Sequence, residues 1–263
     1  MAYDIRDTEY RVNGWKNHNG KPKKVSKVKK LGYGKRKYQI EAFNALNGKR
    51  NTILEAPTGS GKSLMLVNLA AKAIKDSGFT RKQIFSVPQV HISKGFGNMA
   101  ILLPDGTEFG WKIGHNFCTS DIANLVRGII DFLIGTTKSM DGYKQNNISS
   151  GLTAVISHAA LILAFNRMSP EELLQAVAEN DFNIDEIHHA AGASDADERW
   201  SQNELGRVIN TIRSNGGNLR VATATFYRGD GQAIFGRNEL ATFTRYRVRF
   251  PEHWYATGLR SFT

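Results

Sequence analysis

One stretch of the chain has residue types and spacing that suit phosphate chemistry: Ala56-Pro57-Thr58-Gly59-Ser60-Gly61-Lys62-Ser63. Gly59 and Gly61 allow the backbone to turn its N–H groups inward around a phosphate. Lys62 would supply a point charge for the β and γ phosphates of a nucleotide, and Ser63 a hydroxyl ligand for Mg²⁺. We therefore predict a nucleotide-binding loop. Its predicted contacts are Pro57, Thr58, Gly59, Ser60, Gly61, Lys62 and Ser63.

The predicted loop lies between a strand and a helix, as such a loop must. The run Thr52-Ile53-Leu54 predicts a strand before it, and residues 64–74 have helical periodicity after it. The helix would aim the positive end of its dipole at the bound phosphate. A glycine-rich turn that contains Gly-Lys-Ser by chance is the alternative, and the strand and helix context argues against it.

A second pair of residues that could do chemistry is Asp185-Glu186, which follows an apolar strand predicted over residues 181–184. A Mg²⁺-nucleotide site needs one carboxylate to hold the metal and a second to orient or deprotonate the attacking water. An Asp-Glu pair after a strand is also typical of the charged start of a helix. The phosphate loop earlier in the chain favours the catalytic interpretation.

The elements that must position these residues alternate between helix and strand from residue 36 onward. The periodicities predict helices at residues 36–46, 64–76, 122–133, 170–177 and 204–212, and strands at residues 51–55, 84–87, 152–156, 181–184, 219–222 and 242–250. Turn residues 104–107 predict a hairpin between residues 99–103 and 109–113. The alternation predicts an α/β fold with a mostly parallel β-sheet flanked by helices on both faces. Ligands of such a sheet gather at the carboxyl ends of its strands.

Composition is that of an ordinary globular protein, with 41% hydrophobic and 22% charged residues among 263. The chain has no apolar run of about eighteen residues, so we expect no membrane span. Its first residues lack the apolar core of a secretory signal. Because Cys118 is the only cysteine, no internal disulfide can form, and we expect a cytoplasmic location.

Most of the net charge of +11 lies near the amino terminus. Residues 1–50 hold 14 Lys and Arg against 4 Asp and Glu, which leaves 21 against 20 for the rest of the chain. Residues 16–37 contain ten basic and no acidic residues, with Trp15 and Tyr33 interleaved. We interpret residues 1–34 as a basic arm that suits a nucleic-acid backbone, with aromatic rings for base stacking. A solvated tail without a ligand is the alternative.

On these motifs the chain resembles the superfamily 2 helicases and translocases of the DExD/H type. Ala56 to Ser63 matches their motif I, and Asp185-Glu186-Ile187-His188 matches motif II in its DExH, or DEAH-like, form. Thr223-Ala224-Thr225 looks like motif III, and Pro88-Gln89 like a remnant of motif Ia. Arg36, Tyr38 and Gln39 are similar to the adenine-reading segment upstream of motif I. The run from Asp185 to His189 and the Thr-Ala-Thr-x-x-Arg-Gly-Asp run look most like the DNA-directed branch that contains type I and III restriction translocases.

The resemblance implies a RecA-like P-loop NTPase lobe over residues 35–240, an ATP hydrolase that uses ATP and Mg²⁺. It implies that Lys62 binds the β and γ phosphates, that Ser63 and Asp185 hold Mg²⁺, and that Glu186 activates water. Arg36, Tyr38 and Gln39 would contact the adenine. His188, Thr223 and Thr225 would couple the nucleotide state to the nucleic-acid strand. A zinc site at His188 and His189 is disfavoured, because no Cys pair or further His lies at ligand spacing.

Two features depart from the family pattern. Phe226 stands where the family usually has Pro after Thr-Ala-Thr, and only 38 residues follow Thr225, too few for the second RecA-like lobe that a motor needs. We therefore expect residues 241–263 to be an extension or the start of a missing second lobe, supplied in cis or in trans.

The leading hypothesis is the ATP-binding lobe of a DNA helicase or translocase, weak as an ATPase when isolated. The alternative is an ATP-gated nucleic-acid-binding module without motor activity. A GTPase is disfavoured because the chain has no Asn-Lys-x-Asp motif.

Overall fold

The computed structural model describes residues 37–88, 96–97, 99–103, 106–118, 122–135, 151–187, 204–224, 235 and 237–248. The helices in these ranges are α1 Lys37–Leu46, α2 Lys62–Asp76, α3 Ile122–Ile134, α4 His158–Arg167, α5 Pro170–Glu179, α6 Glu204–Ser214 and α7 Arg237–Leu240. The strands are β1 Asn51–Glu55, β2 Lys82–Val87, β3 Met99–Leu102, β4 Glu108–Trp111, β5 His115–Asn116, β6 Thr153–Ser157, β7 Asn180–Ile184, β8 Asn218–Thr223 and β9 Thr244–Arg247.

Seven strands form one sheet in the order β5-β6-β2-β7-β8-β1-β9. Every neighbouring pair in it is parallel, so the carboxyl ends of all seven strands lie at one edge. The strand before the phosphate loop, β1, is separated from the strand before the acids, β7, by β8 alone. The prediction of an α/β fold with a mostly parallel sheet is confirmed.

Helices cover both faces of this sheet, because its strands are buried on both sides. Ile53, Ile84 and Phe182 belong to one buried cluster with residues of α3, α4, α5 and α6. The alternate strand residues Leu54 and Phe85 belong to a second cluster with residues of α1 and α2. Strands buried on both faces have nearly continuous apolar sequences, which explains why β1 and β6 were predicted to within a residue or two.

The predicted hairpin is also present, as the antiparallel pair of β3 and β4. It packs through aromatic side chains against the turn after α2 and against β2. Phe109 stacks on Phe79 with 6.0 Å between ring centroids, and Trp111 contacts Phe85 edge-on at 5.4 Å. The indole N–H of Trp111 donates to the carbonyl of Phe96 at 3.0 Å, which satisfies its one polar group inside the cluster.

Three elements were not predicted: strand β5 and helices α4 and α7. The four-residue helix α7 is too short to show a helical period. Strand β5 has only two residues, too few for a recognisable pattern. Helix α4 begins directly after β6, with Ser157 as both the last strand residue and the helix N-cap, so no turn residue marks the boundary. Strand β9 pairs with β1 and carries the sheet to Arg247, beyond residue 240, where the sequence placed the end of the lobe. None of the described helices is long and apolar enough to cross a membrane.

Candidate nucleotide-binding site

The phosphate loop joins β1 to α2 at the carboxyl edge of the sheet. Gly59 has φ 75° and Gly61 has φ 94°, a left-handed backbone that a side chain would strain. At Gly61 a Cβ would also lie 2.8 Å from Nε2 of Gln39. Both glycines therefore suit the backbone of this loop, and their contact with a phosphate stays a prediction.

The first turn of α2 is arranged for an anion. Gly61 is the N-cap and has no side chain, so no side-chain cap occupies the amino end of the helix. The N–H groups of a first helical turn have no partner within the helix, and the helix dipole adds positive potential at the same point. The loop and helix together therefore form a place where a phosphate is favoured.

The acids reach this place from β7. The hydroxyl of Ser63 donates to Oδ2 of Asp185 at 2.8 Å, across 122 positions of sequence. The other oxygen, Oδ1, accepts from the backbone N–H of Glu186 at 3.1 Å, and the N–H of Asp185 donates to the carbonyl of Ser86 at 2.9 Å. Both the carboxylate and the backbone of Asp185 are therefore held in place against the start of α2.

Burial is the main cause that raises the pKa of Asp185 to about 6. The side chain is almost wholly removed from water, and the neighbouring Glu186 carboxylate raises the pKa further. The Ser63 hydroxyl, the Lys62 ammonium and the Glu186 N–H oppose this rise. A carboxylate in such a setting gains strongly from a cation placed beside it.

Lys62 is held by the loop and by the second acid. Its Nζ lies 3.2 Å from Oε1 of Glu186 and donates to the carbonyl of Pro57 at 3.4 Å. Glu186 itself has φ 51°, an unfavourable conformation for a residue with a side chain. Strained residues of this kind cluster at functional sites, where the surrounding contacts hold them in place.

The donor set fits Mg²⁺ and a nucleotide. Magnesium prefers oxygen ligands, and the Ser63 hydroxyl and Asp185 carboxylate are two oxygen donors 2.8 Å apart at the start of α2. Lys62 is next to Ser63 in sequence, and the glycine loop leaves the anion site open to the backbone amides. Ser63 and Asp185 could therefore hold the metal, with Lys62 and the loop on the phosphates.

Helix α1 packs against the loop through the two described residues of the predicted adenine segment. The hydroxyl of Tyr38 donates to the carbonyl of Ser60, and Nε2 of Gln39 lies 3.4 Å from the same oxygen. Both side chains are buried. Contact with adenine stays a prediction for these residues, and Arg36 lies outside the described residues.

Of the predicted coupling residues, Thr223 is the one that the structure describes. It ends β8, between the loop and the acids, and its carbonyl accepts from the N–H of Ala56 at 3.0 Å. It therefore contacts the first residue of the phosphate loop. His188 and Thr225 lie outside the described residues, as does Gln89 of the suggested motif Ia.

Comparison with protein families gives a direct match to this part of the chain. The family described as DEAD/DEAH box helicase matches residues 36–161, a segment that runs from the start of α1 into α4 and includes the phosphate loop. Residues 36–161 of the chain thus resemble a DEAD/DEAH box helicase domain. The acids at residues 185 and 186 lie beyond the matched segment, in the same sheet.

Among curated proteins, the chain is similar to the DNA (cytosine-5-)-methyltransferase DMT5 of Cryptococcus neoformans var. grubii, with 31% identity over 123 residues. The match covers 44% of this chain and 5% of that protein, so the chain spans a small part of its relative.

Three solved structures have low similarity to this chain. The helicase MrfA bound to DNA and AMPPNP has a TM-score of 0.47 at 14% identity, over 81% of this chain and 26% of that one. The genome packaging NTPase B204 of Sulfolobus turreted icosahedral virus 2, in complex with ATP-gammaS, has a TM-score of 0.42 at 11% identity. That match covers 81% of this chain and 82% of B204. The Sulfolobus solfataricus SWI2/SNF2 ATPase core in complex with dsDNA has a TM-score of 0.38 at 15% identity. That match covers 72% of this chain and 32% of the ATPase core.

Sequence reasoning missed two polar clusters at the carboxyl edge of the seven-stranded sheet. Oγ of Ser86 and Nδ1 of His158 lie 2.6 Å apart, both buried, beside the backbone contact of Asp185. Glu55 is bound by two arginines of β9. An acid that ends an apolar strand is a signal that could have singled out Glu55, but nothing in the sequence indicates its partners.

Proposed function

We propose that the chain is the ATP-binding lobe of a superfamily 2 helicase or translocase, which couples hydrolysis of Mg-ATP to binding of nucleic acid. The observation that supports it most is the meeting of motifs I and II. Ser63 contacts Asp185 at 2.8 Å, and Lys62 contacts Glu186 at 3.2 Å. Two residues of the loop and two acids of a distant strand thereby form one site.

The chemistry of this site follows from its contacts. Lys62 leaves Glu186 and the Pro57 carbonyl to bind the β and γ phosphates, as motif I lysines do. Ser63 and Asp185 would hold Mg²⁺, which would neutralise charge on the phosphate oxygens. Glu186, released from Lys62, orients and deprotonates the attacking water.

Adenine recognition is proposed for Arg36, Tyr38 and Gln39. The contacts of Tyr38 and Gln39 with the Ser60 carbonyl support this, because a base bound against α1 would then act on the loop that holds its phosphates. Coupling to the nucleic acid is proposed for His188, Thr223 and Thr225. The contact of Thr223 with Ala56 supports its part in that coupling.

The proposed partners are nucleic acid, with DNA favoured over RNA, and a second RecA-like lobe in cis or in trans. The preference for DNA rests on the motif pattern that resembles type I and III restriction translocases. We further propose that residues 1–34 form the basic arm and that the ATPase lobe extends from residue 35 to at least Arg247.

Titration with a fluorescent ATP analogue and Mg²⁺ tests the proposal. Lys62→Ala should weaken binding at least about tenfold, because a charged lysine that binds phosphate contributes about 1.5–3 kcal/mol. Lys72→Ala is the matched control: this lysine is on the same helix and pairs with Asp76 instead. Equal affinities of the parent and Lys62→Ala would show that the phosphate-loop assignment is wrong.

Phosphate release with and without DNA or RNA then tests the coupling. The helicase proposal expects turnover that nucleic acid stimulates. An ATP-gated binding module would instead show nucleic-acid affinity that changes between ATP and ADP, without turnover. RNA stimulation in the absence of any DNA effect would contradict the proposed preference.

A further inference from the structure

The last residue of β1, Glu55, is a buried carboxylate held by two arginines of β9. Its side chain is 7% exposed. Arg245 pairs with one of its oxygens, and a guanidinium nitrogen of Arg247 lies 2.8 Å from the other. The arginines are more open to solvent, with side chains 34% and 55% exposed. Both ion pairs that the structure describes for Glu55 therefore come from a single neighbouring strand.

This ion-pair cluster lies directly at the start of the phosphate loop. Glu55 is bonded to Ala56, the first residue of the loop, and its carbonyl accepts from the N–H of Val248 at 2.8 Å, just after β9. On the other side, the N–H of Ala56 donates to Thr223 at the end of β8. The point where the loop leaves the sheet is thus fixed by β8 on one side and by β9 on the other.

Strand β9 also reaches the far side of the loop through α1. Within the described sheet it is an edge strand whose one neighbour is β1. The hydroxyl of Tyr246 donates to Oε2 of Glu41 at 2.9 Å. Glu41 lies one helical turn from Tyr38, which contacts Ser60 inside the loop. A displacement of β9 would therefore act on the loop at two places.

We propose that Glu55, Arg245 and Arg247 are positioning residues, which fix the start of the phosphate loop and make nucleotide affinity depend on β9 being in place. A buried carboxylate that loses its cations is strongly destabilised, so it must move toward water when β9 is displaced. Because Glu55 is bonded to Ala56, that movement would take the start of the loop with it. The inference rests on the proposed nucleotide binding and adds a dependence on the last strand of the sheet.

The chain offers a matched control for this cluster. Asp181 near the amino end of β7 is likewise buried and pairs with two arginines, Arg81 at 2.7 Å and Arg220 at 3.2 Å. It is at the end of the sheet opposite the phosphate loop, because all seven strands are parallel. Asp181→Asn removes the same kind of interaction as Glu55→Gln without touching the loop.

The experiment compares the parent, Glu55→Gln, Arg247→Gln and Asp181→Asn under conditions where circular dichroism and urea unfolding show each protein to be folded. Two quantities are measured: the Kd for a fluorescent Mg-ATP analogue, and hydrogen exchange of the backbone amides of residues 56 and 58–61 without nucleotide. Glu55→Gln and Arg247→Gln should bind about three- to thirtyfold more weakly, a typical effect of a residue that acts on a site without contacting its ligand. Their loop amides should exchange faster. Asp181→Asn should lose stability and keep the Kd and the loop exchange of the parent.

Two results would overturn the inference. In the first, Glu55→Gln and Arg247→Gln lose stability but keep the affinity and loop exchange of the parent, which gives the cluster a structural role alone. In the second, Asp181→Asn weakens binding as much as they do, which makes the effect one of overall stability. Arg247→Gln carries the test if Glu55→Gln fails to fold, since the side chain of Arg247 is more than half exposed. If the parent binds no nucleotide, the proposed function fails, while loop exchange still tests the positioning role.

Discussion

The ion pair between Lys62 and Glu186 makes Glu186→Gln an informative change. Glutamine keeps the shape of the side chain, and the left-handed backbone at this position strains it as much as it strains glutamate. What is lost is the charge 3.2 Å from Nζ of Lys62 and the carboxylate that orients water. Binding and turnover should therefore respond in opposite directions.

The size of each effect follows from the exposure of the pair and from the role of the acid. Lys62 must leave Glu186 to reach the phosphates, and their side chains are 5% and 20% exposed. A pair this little exposed contributes at least about 1 kcal/mol, the upper end for surface pairs, so its removal should tighten Mg-ATP binding about fivefold or more. Loss of a general base should slow hydrolysis about 10²- to 10⁴-fold.

Equilibrium titration and single-turnover phosphate release measure the two effects separately. Glu108→Gln is the control, because this acid is exposed on β4 of the hairpin, outside the seven-stranded sheet. A tenfold loss of affinity in Glu186→Gln would show that the pair does not compete with nucleotide. Hydrolysis within twofold of the parent would refute the assignment of Glu186 as the acid that activates water.

Two further predictions concern the acid sensitivity of the fold and the basic arm. Burial alone would raise the pKa of Asp181, but Arg220, Arg81 and the amides of Gln83 and Asn218 hold it below its ordinary value. The stability that this carboxylate provides is thus complete above the unfolded pKa of about 3.9 and is lost as the pH falls through the folded value. Urea unfolding should show the parent's advantage over Asp181→Asn shrinking below about pH 4, and a constant difference would contradict the pKa shift. For the arm, about six phosphate contacts among residues 16–37 would give a slope of log affinity against log salt of roughly −5 on duplex DNA and −4 on a single strand. Deletion of residues 1–34 should flatten that slope and leave ATP binding intact, whereas an unchanged slope would place the binding surface near Thr223 and Thr225.

Part of the geometry of the candidate site was predictable from residue types at strand ends. Gly59 and Gly61 have a left-handed backbone, which glycine readily adopts, and Ser63 contacts Asp185, while their roles toward nucleotide and Mg²⁺ stay predictions. The ion-pair cluster at Glu55 was not predictable, since its partner Arg245 lies 190 positions away in the sequence. Local periodicity shows that a strand exists but not which strand is its neighbour.

The same limit applies to strand β7, because the hydrogen-bond partners of its polar residues lie on neighbouring strands and are known only from the assembled sheet. Asp181 and Asn183 alternate with apolar residues, a pattern typical of a strand with one face in water, yet all five residues of β7 are buried. Asp181 accepts from Gln83 of β2 at 2.9 Å, and Asn183 contacts Arg220 of β8 at 3.3 Å. Buried polar groups of this kind are tolerated only when they are hydrogen-bonded.

These contacts help to fix the register of β7 against both of its neighbours, with Asp181 opposite Gln83 and Ile184 opposite Ser86. A slip of one residue would move every side chain of a strand to the opposite face of the sheet. Such a slip would break the polar contacts of Asp181 and carry Asp185 away from Ser63. The backbone pairing of β7 with β2 and β8 holds this register together with the side chains of Asp181 and Asn183, so a neutral residue at Asp181 would lower stability and leave Asp185 in place.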